Sequence, residues 1–171
     1  MTTHPQPKSP AKGHQGYYDR PIKGVDFRKH PDRYRIGVGE QGVLMVEPYK
    51  SEILPHWKFK TPELAEVSAK KIYAMFTTYL KSDDFVGADM ARKFLQMGFT
   101  RSRRYANHKS GRKWSPAQKD GSRHKLPDDV DPEKAESARV FYSYYEKAKT
   151  NATYLKRKRA HQAASKLADS K

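Results

Sequence analysis

Cysteine is absent from the 171 residues. Its absence removes disulfides, thiolate nucleophiles and cysteine-ligated zinc together, so neither a stapled secreted scaffold nor a zinc finger is open to this chain. No run reaches the roughly 18 apolar residues of a membrane span, and the first twenty residues lack the apolar segment of a secretory signal. A cytoplasmic protein without a membrane partner is therefore expected. Acidic residues are also scarce: 19 Asp and Glu stand against 35 Lys and Arg, a formal net charge of +16.

That charge is arranged in blocks. Residues 98 to 125 carry nine basic groups and one acidic, residues 147 to 171 carry eight and one, and residues 1 to 35 carry eight and three. Residues 36 to 97 balance, and 126 to 146 are acidic. A surplus serving solubility alone tends to be interspersed with acids, whereas blocks attract polyanions. Nucleic acid, DNA or RNA undecided, is the expected partner, with an acidic protein as the other candidate.

The length suits one domain with tails. Residues 1 to 19, with Pro5, Pro7 and Pro10 among polar neighbours, have no apolar face and read as a disordered basic tail. A single α+β domain is expected over 20 to 160, with a basic mobile loop at 110 to 130 and a C-terminal tail at 161 to 171. Within it, Ile36 leads into Gly37, Gly39 and Gly42, and Val43 to Val46 form a short apolar run. This pattern predicts a small β-hairpin around a glycine-rich turn, packed on three or four helices.

Thr61-Pro62-Glu63 is a helix start, and Ala65, Ala69, Ile72, Phe76 and Leu80 follow at helical spacing. A second helix is predicted from Ser82 or Asp83 to Gly98, read as its terminating glycine, and a third from Thr100 to about Asn107. Together these two have the outline of a helix-turn-helix. Asp131-Pro132 opens a last helix carried to Leu155 by Ala138, Phe141, Tyr145 and Ala148.

Gly37 to Gly42 match Gly-x-Gly-x-x-Gly, but a dinucleotide site needs a helix directly after the loop and here a strand is expected. Asp89 with Lys93 reads as an i,i+4 helical pair. Glu47, Glu52 and His56 form the one acid and histidine cluster with no evident structural job, so they are the weak catalytic candidates for a metal-dependent enzyme acting on a nucleic-acid or phosphorylated substrate. The seven histidines show no ligand spacing, so neither a metal nor a cofactor is assigned.

The densest chemical signal is basic and aromatic. Arg101, Arg103, Arg104, Lys109, Arg112 and Lys113 interleave with Tyr105, Asn107, His108 and Trp114. Cations neutralise phosphates, planar groups stack on bases, and Asn can read a base edge. Lys156, Arg157, Lys158 and Arg159 add a second basic cluster. The leading expectation is a non-enzymatic nucleic-acid-binding protein.

Two stretches also resemble a known family. Asp26-Phe27-Arg28-Lys29-His30-Pro31 continues through Val43-Leu44-Met45-Val46-Glu47-Pro48-Tyr49 to Trp57. The other is Asp83-Asp84-Phe85-Val86-Gly87-Ala88-Asp89-Met90-Ala91-Arg92-Lys93-Phe94-Leu95-Gln96-Met97-Gly98, through Tyr105 to Lys109. They resemble an uncharacterised family of bacterial and bacteriophage cytoplasmic proteins, over most of residues 26 to 111. The resemblance implies a bacterial or phage setting and assigns no catalytic residue.

Overall fold

A computed structural model describes residues 21 to 108, 110 to 127 and 130 to 171. Five α-helices occur among them: α1 (Tyr49–Ile53), α2 (Pro62–Lys81), α3 (Phe85–Asn107), α4 (Pro132–Lys149) and α5 (Ala152–Asp169). Helices α2, α3 and α4 pack on one another, and α1 and α5 pack on α3. The starts follow the sequence signals. Thr61 Oγ1 accepts from the Leu64 amide at 3.2 Å, and Asp131 accepts from the Glu133 and Lys134 amides at 3.0 and 3.2 Å.

The central element is α3, whose residues from Phe85 to Leu95 are all buried. A helix covered on every side needs small residues where neighbours approach. A Cβ on Gly98 would lie 2.3 Å from the Phe141 ring, and one on Gly87 would lie 2.6 Å from the Tyr79 ring. Gly98 therefore admits α4 instead of ending a helix, and α3 runs unbroken to Asn107. The separate third helix and the helix-turn-helix outline are corrected accordingly.

The α+β expectation is also overturned: the fold is all-helical, with no strand or sheet among the described residues. Residues 38 to 46 close local turns, from Gln41 N to Val38 O, Val43 N to Glu40 O and Val46 N to Gly42 O, so their amides are spent within three or four residues. Gly39 and Gly42 take positive φ values of 58° and 83°, which the wrapped path requires.

Two further expectations change. The last helix breaks at Thr150, and α5 restarts where Asn151 accepts from the Tyr154 amide at 3.0 Å. Residues 161 to 171, read as a tail, remain helical to Asp169, which pairs with Arg35 at 2.9 Å. The disordered tail expected at 1 to 19 lies outside the described residues.

Candidate nucleic-acid interface

The C-terminal third of α3 carries the basic signal. Ser102 and Ala106 are buried there, while Arg103 and Arg104 are exposed and Tyr105 is 36% exposed. His108 ends the helix, its amide donating to the Arg104 carbonyl at 2.9 Å, and its side chain is buried. Arg101 turns toward a different concavity, beside Glu40 to Met45. Arg101, Arg104 and His108 thus share helical spacing without sharing an open face.

The loop after α3 then doubles back. Ser115 N donates to His124 O and Leu126 N donates to Lys113 O, both at 2.9 Å, around a single antiparallel bridge between Trp114 and Lys125. The ladder is too short to be a strand, yet it brings residue 123 alongside residues 112 to 116. The product is a concavity of about 550 Å³ lined by Arg104, Arg112, Lys113, Trp114 and Arg123, with Gly111, Ser115 and Pro116. Trp114 is 49% exposed. Among the described residues no carboxylate pairs with any of these four cations. Arg123 is the member that the sequence reading missed, because only the fold-back of the loop makes it a neighbour. Lys109 lies outside the described residues, and Asn107 is half-buried.

The second basic cluster is dispersed along α5. Arg157 donates to the Leu80 carbonyl and pairs with Asp83 at 3.4 Å, so it fastens α5 to the end of α2. Lys158 lines a separate concavity of about 700 Å³, with Arg92 and Lys149. Lys156 and Arg159 are exposed.

Of the acid and histidine candidates, the two glutamates have their side chains engaged within the fold. Glu47 accepts from the Ser51 amide and hydroxyl at 3.1 and 2.9 Å, holding the first turn of α1. Glu52 receives both Arg28 terminal nitrogens at 2.8 Å and the Tyr79 hydroxyl at 2.7 Å. The Arg28 guanidinium holds Glu52 below the usual carboxylate range, outweighing its partial burial. His56 is exposed, and its carbonyl accepts from Ser68. No group of three or more potential metal ligands occurs among the described residues.

Asp89 and Lys93, spaced as an i,i+4 pair, are both buried. Asp89 Oδ1 accepts from Arg92 Nε at 3.0 Å and from the Tyr154 hydroxyl at 2.7 Å, while Oδ2 accepts from the Tyr34 hydroxyl. Lys93 Nζ donates to the carbonyls of Gly37, Gly39 and Gln41 at 3.0, 3.1 and 2.9 Å. The glycine-rich loop is thus a wrapping for an ammonium, whose three donors meet three carbonyls. Burial pushes Lys93 down to about 8 against the pull of Asp89. For Asp89 burial acts upward, but the Arg92 and Lys93 charges prevail and hold it below its ordinary value. With Asp89 and Lys93 both engaged by buried partners, this centre fastens α3 to the glycine-rich loop and to α5.

The family model of DUF4385, a domain of unknown function, matches residues 17–164, and the chain belongs to that family. No curated protein and no solved structure matches the chain.

Proposed function

We propose that this is a non-enzymatic nucleic-acid-binding protein whose interface is the concavity of Arg104, Arg112, Lys113, Trp114 and Arg123. The observation carrying this reading is the convergence of four cations and an exposed indole on one concave surface, with no carboxylate among the described residues that line it. Some cations elsewhere are paired within the fold, as Arg28 with Glu52 and Arg92 with Asp89 illustrate. Cations left open in a cluster suit phosphate oxygens, and the indole suits a base plane. A cytoplasmic setting in bacteria or phage is part of the same proposal.

The enzyme alternative requires free acids. Glu47 and Glu52 instead have their oxygens occupied by Ser51, Arg28 and Tyr79. The test is affinity of the full chain for an oligonucleotide after Arg104→Ala, Arg112→Ala and Arg123→Ala together. Affinity should fall while circular dichroism stays the same, since these side chains contribute little packing. Unchanged affinity would displace the interface, and metal-dependent cleavage of the oligonucleotide by the wild type would favour the enzyme.

A further inference from the structure

The proposed groove does not end at Gly111. That glycine has φ of +70°, and a Cβ on it would lie 2.6 Å from Cζ of Tyr105, so the backbone rests on the Tyr105 ring. Tyr105 in turn lines a second concavity of about 370 Å³, with Lys58, Phe59, Lys60, Leu64 and Lys134. The Phe59 and Tyr105 ring centroids are 6.0 Å apart, and Lys134 Nζ lies 5.8 Å from the Phe59 centroid. Leu64 is 41% exposed. This concavity therefore has an aromatic and aliphatic floor and a rim of three lysines, again without a carboxylate among the described residues that line it.

On the interface proposed above, we infer that the ligand is a single-stranded nucleic acid, which runs from the Trp114 groove past Tyr105 to the Phe59 pocket. Bases in a duplex are stacked on one another, so a protein meets their edges and the phosphates. Flat, exposed aromatic surfaces bordered by cations match unpaired bases with phosphates on either side. Half-exposed Trp114 meets that requirement at one end of the path, with Arg104, Arg112, Lys113 and Arg123, and the partly exposed rings of Phe59 and Tyr105 meet it at the other, with Lys58, Lys60 and Lys134. A duplex would use the cations and leave the apolar floor of the Phe59 pocket empty. An acidic peptide would also meet the cations, but offers no repeated planar group to the two platforms.

The experiment titrates the full chain with a thymidine oligonucleotide of about twelve nucleotides, and with a duplex of equal length, at one salt concentration. The variants are Trp114→Ala, Phe59→Leu, and the combined Arg104→Ala, Arg112→Ala and Arg123→Ala. The single strand should bind more tightly than the duplex and quench tryptophan fluorescence, and Trp114→Ala should remove most of that quenching. Trp114→Ala and Phe59→Leu should each weaken single-strand binding by about fivefold or more, from the usual worth of a stacked base, and leave duplex binding unchanged. The arginine variant should weaken both. Trp114→Ala is the safer variant because its side chain is half-exposed, and Lys58→Ala with Lys60→Ala probes the Phe59 pocket without altering its floor. Duplex binding equal to or tighter than single-strand binding, with the aromatic variants indifferent, overturns this inference and leaves the nucleic-acid reading standing. Failure to bind either oligonucleotide at low salt overturns both.

Discussion

Lys93 Nζ donates to the carbonyl oxygen of Gly37 at 3.0 Å, a contact between the middle of α3 and a loop 56 positions earlier. The same ammonium serves the Gly39 and Gln41 carbonyls, so one side chain fixes a loop that has no ladder of its own. Lys93→Met keeps much of the length and removes the charge and donors. Three inward carbonyls then lose their donor and Asp89 loses one of its two neighbouring positive charges, and breaking such a buried arrangement costs about 3–5 kcal/mol. Urea denaturation of the variant measures this; a change below about 1 kcal/mol would mean the loop is fastened by other contacts.

Acid should unfold the protein through the carboxylates held low. Asp89 and Glu52 both have depressed folded values. The stability they contribute is present above their unfolded values, near 4, and is lost as pH falls through the folded values. Thermal midpoints should hold between about pH 5 and 7 and decline below that range. Asp89→Asn should flatten the decline, and should lower the midpoint at pH 7 because Arg92 and Lys93 lose their buried counter-ion.

Gly98 faces Phe141 so closely that a methyl group has no room. Gly98→Ala gains about 1 kcal/mol of helix propensity but forces α4 away from α3, and overpacking of this kind costs about 1–3 kcal/mol. A net loss is expected, and Phe141→Leu added to Gly98→Ala should recover part of it. Stabilisation by Gly98→Ala alone, read from the thermal midpoint, would contradict the close crossing.

Much of the helical frame was legible because its signals are local. Thr61-Pro62 and Asp131-Pro132 mark their helix starts in the sequence as in the structure. Gly98 was misread because glycine both ends helices and lets them cross closely, and only the position of Phe141 distinguishes the two. The i,i+4 spacing of Asp89 and Lys93 does not reveal their burial, because it is the same on an exposed and on a covered helix. The glycine loop looked like a hairpin because nothing local reveals that its carbonyls turn onto a lysine far along the chain. Of the interface, Arg104, Arg112, Lys113 and Trp114 were named from the sequence and lie together, whereas Arg101 and the α5 cations lie elsewhere. Arg123 needed the fold-back at Trp114 and Lys125. Lys58-Phe59-Lys60 carried the same basic and aromatic alternation in the sequence and could have been noticed.

The salt dependence of oligonucleotide binding tests the nucleic-acid interface most directly. Each phosphate contact steepens the plot of log affinity against log salt by about 0.7 on a single strand and 0.9 on a duplex. Wild-type affinity should fall steeply with salt. Replacing Arg104, Arg112, Lys113 and Arg123 with Ala together should weaken binding at low salt and make the slope shallower by up to about 3 on a single strand. Identical slopes and affinities for the two proteins, or no wild-type binding at low salt, would contradict the interface.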